Sequence, residues 1–137
     1  MMLDRIPQSA LLRLALLADA LASGAMGVLM AAGASLLAPL LGLPSQLLFW
    51  AGTLLMPFAL LVARTGAREQ PPGVAAGAIV LVNLAWVIGS VALLAVLPQA
   101  PTALGYAFVI AQALAVLVLA LMQWAGIARA ARTVVAA

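Results

Sequence analysis

Four long apolar stretches, at 10–37, 46–63, 74–97 and 102–127, occupy most of the chain and are separated by short polar or proline-rich breaks. Each is a continuous run of Ala, Leu and Val, without the alternation over about 10 residues that a barrel strand would show. A helix needs about 20 such residues to cross a hydrocarbon core about 30 Å thick, so all four qualify, the second only just. The pattern predicts an all-α fold: a polytopic membrane protein built as a four-transmembrane-helix bundle, with residues 1–137 forming one membrane domain. The breaks carry their own signals. Ser9 is placed to cap the start of the first span and Thr102 that of the fourth. Pro39 and the turn Leu41-Gly42-Leu43-Pro44 should stop the first span, and Pro57 should kink the second by removing a backbone hydrogen bond. Pro71-Pro72-Gly73 and Pro98 bracket the third, and Arg129 and Arg132 end the apolar run of the fourth.

The few charges orient this map. Arg5 and Arg13 lie at the first end, Arg64 and Arg68 in the second-to-third connection, and Arg129 and Arg132 at the last end, whereas the connections 38–45 and 98–101 carry no charge. An excess of arginine on one side marks the cytoplasmic face. The expectation is a multi-pass protein of a bacterial-type inner membrane with both termini cytoplasmic. Trp50 and Tyr106 then fall near the outer interface and Trp124 near the inner one, where amphipathic rings are favoured. Arg5, the following leucines and Ala20-Leu21-Ala22 imitate a signal peptide. Only five uncharged residues separate Arg13 from Asp19, too few for the hydrophobic core of one, so the segment reads as a retained first span.

Composition narrows the chemistry. The chain is 68% hydrophobic and 7% charged, against about 45–50% and about 25% in soluble domains. It has no Cys, no His and no Lys, since all six basic residues are Arg. That removes thiolate nucleophiles, the usual zinc ligands, imidazole bases and Schiff-base lysines. No cofactor or metal is expected, and no enzymatic activity. The net charge of +3 is spread over three places instead of forming a basic face, so nucleic acid is not an expected partner.

The polar residues inside the spans are the candidates for function. Asp19 is the only acidic one, and a carboxylate there must be paired, hydrated or protonated. One reading makes it a strut, ion-paired with Arg64 or Arg129 reaching in from the cytoplasmic rim. The other makes it a proton or cation site, or the polar anchor of a ligand. Asn83 lies nearer the midplane with Trp86 and Ser90 on the same side of its helix. Asp19, Ser23, Asn83, Trp86 and Gln112 form the candidate cluster: Asp19, Asn83, Trp86 and Gln112 would line one cavity, with the indole as an apolar wall and the amides orienting a small hydrophobic ligand. Gln112 is placed too far out to bond Asp19 directly, Gln123 reads as interfacial, and Met26, Met30 and Met56 read as core filler. Ala15, Asp19, Ser23, Gly27, Ala31 and Ser35 recur every four residues, and the third span offers Gly73, Gly77, Ala85 and Gly89. These two small-residue faces predict contact between spans one and three.

With Asp19-Ala-Leu-Ala-Ser-Gly24, Trp50-Ala-Gly, Met56-Pro57-Phe58, Asn83-Leu-Ala-Trp86, Pro101-Thr-Ala-Leu-Gly105 and Phe108-Val-Ile-Ala-Gln112, the chain resembles a group of small four-span bacterial inner-membrane proteins. The resemblance implies a four-helix membrane domain and no activity. Similarity to the small multidrug exporters is architectural: four spans with an acidic residue in the first. Here that residue is an aspartate, seven aromatic residues are few for stacking on cations, and the arginine bias dictates one orientation. The inventory favours a non-enzymatic interaction or accessory protein in contact with membrane lipid, self-associating or joined to other membrane subunits. The alternative is a small transporter or hydrophobic-ligand-binding protein that uses Asp19 and the Asn83/Trp86 face.

Overall fold

In the computed structural model, which describes residues 5–136, Ser9 caps the first helix: its hydroxyl accepts from the Leu12 amide at 3.0 Å. Five helices follow: α1 (Ala10–Ala32), α2 (Ala34–Leu41), α3 (Ser45–Ala67), α4 (Gly73–Val96) and α5 (Ala103–Ala136). Among the described residues there is no strand. Helices α1, α3, α4 and α5 are each long and apolar enough to cross a membrane, so the fold is an all-α bundle of four such helices.

The helix ends depart from the hydropathy runs for local reasons. The first run breaks at Gly33, four residues before its expected end, and resumes as α2, which continues through Pro39 to Leu41. Pro39 costs α2 one backbone bond but does not stop it. The stop is Gly42, at φ 65°, a left-handed conformation that glycine adopts without penalty. Helix α3 runs through Pro57 to Ala67, with Arg64 in its last turn, where a cation faces the negative end of the helix dipole. Helix α5 extends well past the last apolar stretch, carrying Arg129 and Arg132 within it; at about 1.5 Å per residue it is about 50 Å long and outreaches the hydrocarbon core. Thr102 caps it, accepting from the Gly105 amide at 3.0 Å while donating to the Leu40 carbonyl at 2.7 Å.

The long helices pack in the order α3, α1, α5, α4. Helix α1 lies between α3 and α5, α4 packs on α5, and α3 and α4 barely touch although they are consecutive in the chain. Spans one and three meet only through side chains, Leu12 and Leu16 with Ala76 and Ile79 and Asp19 with Asn83, whereas the close backbone approach is between spans one and two. The stripe on α1 is buried as far as Gly27; Asp19 within it faces α4 and α5, and Gly27 at its end meets α3. There a Cβ on Gly27 would stand 2.9 Å from the Gly52 carbonyl oxygen, and one on Gly52 would stand 2.6 Å from the Ala31 nitrogen. On α4, by contrast, a Cβ at Gly77 or Gly89 meets nothing within 4 Å. Small residues permit close approach without choosing the partner; Gly52 matches Gly27, and neither Gly77 nor Gly89 of α4 faces another helix closely.

Two apolar clusters fill the bundle. Ile6, Leu12, Leu16, Val62, Ala76, Ile79 and Ala130 form the one nearer the arginine-bearing ends. Met30, Ala34, Leu41, Leu43, Leu48, Leu55 and Val109 form the other. The segment before α1 closes the first cluster by pairing with the α3–α4 connection, Ile6 to Pro71 at 3.0 Å and Gln8 to Glu69 at 3.1 Å. Trp50, Tyr106 and Trp124 lie on the exterior. Of the methionines read as core filler, Met30 is buried, Met26 is half-buried and Met56, though largely exposed, lays its sulfur beside Gly27 of α1.

The α1–α3 crossing gives a direct test. Gly52→Val should destabilise the protein by about 1–3 kcal/mol, because backbone cannot yield to the added atoms. Gly77→Ala should be neutral or stabilising by up to about 1 kcal/mol, since its methyl group meets no neighbour. Thermal unfolding of the detergent-solubilised variants reads both, and equal effects would contradict the crossing.

Candidate functional site

Between the two apolar clusters lies a polar one. The buried face of α1 repeats at helical spacing through Leu12, Ala15, Leu16, Asp19, Ser23 and Gly27, so the carboxylate of Asp19 points inward by the same periodicity that buries its apolar neighbours. It is 0% exposed. Its Oδ2 accepts from Asn83 Nδ2 of α4 and from Gln123 Nε2 of α5, both at 2.7 Å, and its Oδ1 accepts from Ser23 Oγ, one turn on, at 2.9 Å. Asn83 Nδ2 also donates to Gln123 Oε1 at 3.0 Å. One carboxylate thus ties three helices together.

Two sequence expectations are corrected here. The ion pair of Asp19 with Arg64 or Arg129 does not form; both arginines are exposed, and the carboxylate takes its bonds from neutral groups instead. Amides already at that depth satisfy it without stripping water from a guanidinium. Gln123, read as interfacial and left out of the candidate cluster, faces inward, is 0% exposed and belongs to it. It is displaced from the helix end because α5 continues to Ala136, well beyond the last apolar residue of the run. The signal was present in the spacing: Gln112 and Gln123 are eleven residues apart, three turns of helix, and share a face of α5.

A second network lies further from the arginine-bearing ends. Trp86 Nε1 donates to Gln112 Oε1 at 2.7 Å, Gln112 Nε2 donates to Ser90 Oγ at 3.1 Å, and Ser90 Oγ donates to the Trp86 carbonyl at 2.7 Å. This loop fixes the indole plane between α4 and α5. As the sequence suggests, Gln112 does not reach Asp19.

The five candidate residues come together around one cavity. Asp19, Ser23, Asn83, Trp86 and Gln112 all line a space of about 310 Å³ whose remaining walls are apolar, with Met26, Leu54 and Phe58 among them. That is the size and character of a small-molecule site, apolar with a few convergent polar groups. Its free hydrogen-bonding capacity can be counted. A carboxylate offers about four lone-pair positions and three are used; the fourth, on Oδ1, is covered, because Asp19 is 0% exposed. Asn83 spends both its amide hydrogens on Asp19 and Gln123, and no described group donates to its Oδ1. The polar end of the cavity therefore offers an acceptor, beside an aromatic face suited to a cation. Among the described residues no group of three or more metal-ligating side chains exists.

Comparison of the chain with known protein families, with characterised proteins and with solved structures gives no match. The functional reading rests on the geometry of the site.

Removing Gln123 or Asn83 should be expensive and removing the arginines should not. Gln123→Leu and Asn83→Leu each strip a bond from a buried carboxylate, worth about 1.5–3 kcal/mol. Arg64→Gln and Arg129→Gln should stay within about 0.5 kcal/mol of the parent. Equilibrium unfolding in detergent distinguishes the two sets, and a large loss on Arg129→Gln would restore the ion pair.

Proposed function

We propose that this chain is a small-molecule-binding protein of the membrane, with carriage of the ligand as its activity, and that its ligand is a compact hydrophobic amine in protonated form. The observation that carries the reading is the cavity: apolar walls, a volume of about 310 Å³, and a polar end made of Asp19, Ser23 and Asn83 with a hydrogen-bond acceptor to spare. A protonated amine supplies an N–H donor to that acceptor and a positive charge to the carboxylate, while its hydrocarbon body meets Trp86 and Phe58. An anionic ligand would face Asp19 with like charge. Binding and release need none of the nucleophiles that the chain lacks.

The reading as an interaction subunit stands second. One observation favours it: Val74, Leu81 and Ile88 form an exposed stripe on α4 with Gly77, beside which nothing packs. We also infer that the membrane is a bacterial-type inner membrane and that both ends of the chain and the α3–α4 connection are cytoplasmic, supported by the six arginines at those places and none in the opposite connections.

Binding is tested with 1-aminoadamantane on protein whose only tryptophan is Trp86, through Trp50→Phe and Trp124→Phe. Saturable change in its emission is expected. Asp19→Asn keeps an acceptor for the two amides but loses the charge, so it should stay folded and bind about tenfold or more weakly. Equal binding by parent and Asp19→Asn would overturn the proposal. Because the chain has no cysteine, single cysteines test the rest. A membrane-impermeant thiol reagent should label Gln99→Cys, and not Arg68→Cys, from the outer side, the reverse being fatal to the orientation; disulfide dimers of Gly77→Cys would support the second reading.

A further inference from the structure

A second cavity adjoins the first. It has a volume of about 460 Å³ and is almost wholly apolar, bounded by Leu48 and Ala51 of α3, Gly89 and Leu93 of α4, and Phe108 of α5. Val82, Trp86 and Gln112 line both cavities, so the two abut across the hydrogen-bonded indole. Both lie in the seam between α3 and α4, the helices that barely touch. Leu54 and Val82 line the inner cavity and are 67% and 48% exposed, which leaves that seam open to the exterior of the bundle where hydrocarbon would lie.

Resting on the amine-binding reading above, we propose that the two cavities are the two ends of one site for a single-chain amphiphilic primary amine. Its ammonium group sits at Asp19 and Asn83, and its chain runs past Trp86 into the outer groove. The polar end selects the head. The open acceptor at the cavity is Asn83 Oδ1, with the carboxylate of Asp19 directly behind the amide, and a primary ammonium donates to it an N–H that a quaternary ammonium lacks. A carboxylate head is excluded by charge. The groove selects the tail. From Asn83 to Leu93 along α4 is about 15 Å at about 1.5 Å per residue, the reach of an unbranched chain of roughly a dozen carbons. The route in is lateral, between α3 and α4, so the amphiphile enters from the bilayer with its chain already in hydrocarbon. Trp86, fixed by Gln112 and Ser90, is the wall along which the chain lies. Its position makes it the reporter.

The test uses the Trp86-only protein in phosphatidylcholine bilayers, titrated with dodecylamine brominated in mid-chain, since bromine quenches an indole that it touches. Saturable quenching is expected, competed by plain dodecylamine and not by dodecyltrimethylammonium or dodecanoate, and weakened about tenfold or more by Asp19→Asn. Gly89→Phe fills the groove at a position where an added Cβ meets nothing within 4 Å, so the chain accommodates it. It should weaken the long amine about tenfold while 1-aminoadamantane, which does not reach the groove, binds as before. Ala51→Phe, on the facing wall, should act likewise. If both fillers leave dodecylamine binding unchanged, the compact amine site stands and the two-cavity site is wrong. If brominated phosphatidylcholine alone quenches Trp86 as strongly, and amine quenching does not depend on Asp19, the seam holds ordinary lipid chains and the proposal fails. If neither amine binds, both readings fail together.

Discussion

The carboxylate of Asp19 makes the buried polar tie between helices that are otherwise joined only by apolar side chains. Helices α1 and α4 have no close backbone contact, yet Asn83 reaches Asp19 across the gap at 2.7 Å, and Gln123 reaches it from α5 at the same distance. In a membrane, apolar packing between helices is not driven by the exclusion of water, because lipid chains are as apolar as leucine. Polar groups that find no partner in lipid thus take a large part in fixing helix positions. Here one acceptor and two amides set the register of three helices at a single level of the bundle, with apolar clusters above and below.

The choice of neutral partners has a functional consequence. An arginine would both satisfy the carboxylate and cancel its charge. Ser23, Asn83 and Gln123 satisfy it by hydrogen bonds and bring no counter-charge. For an ionised carboxylate without a counter-charge, desolvation is unfavourable by several kcal/mol and only partly offset by such bonds, which is the physical basis of the proposed preference for a cationic ligand. A structural ion pair has no such appetite.

Much of this was legible in the sequence, and the rest was hidden for identifiable reasons. Run length and arginine placement are one-dimensional properties, so the four spans and the caps at Ser9 and Thr102 could be read directly. The inward faces could be read from spacing: Asp19 with Ser23 and Asn83 with Trp86 are each within one turn. What spacing does not contain is which helix lies opposite. The small-residue stripe of α1 was as compatible with α4 as with α3, and the decision rests on Gly52, whose bare backbone fits against Gly27. The role of Gln123 is hidden because hydropathy gives its depth near the end of the apolar run but not which way its side chain faces. One of the two readings of Asp19 gives it an arginine partner because charge complementarity is visible along a sequence, whereas two amides converging from different helices are visible only in three dimensions.

The same packing choice creates the cavity. Glycine against glycine draws α1 and α3 together, and the small buried residues of α5, Ala113, Ala120 and Gly126 among them, let α5 close on the other elements of the bundle. With α1 occupied on both sides, α3 and α4 become the two ends of the row and face one another across it. At that seam the side chains are large: Leu54 and Phe58 from α3, Trp86 from α4. They keep the backbones apart without filling the space between them. A four-helix row closed at this seam by small residues would have buried Asp19 under a lipid-proof wall. Left open, it gives a buried carboxylate a lateral approach through hydrocarbon, which only a ligand that is itself largely hydrocarbon can use.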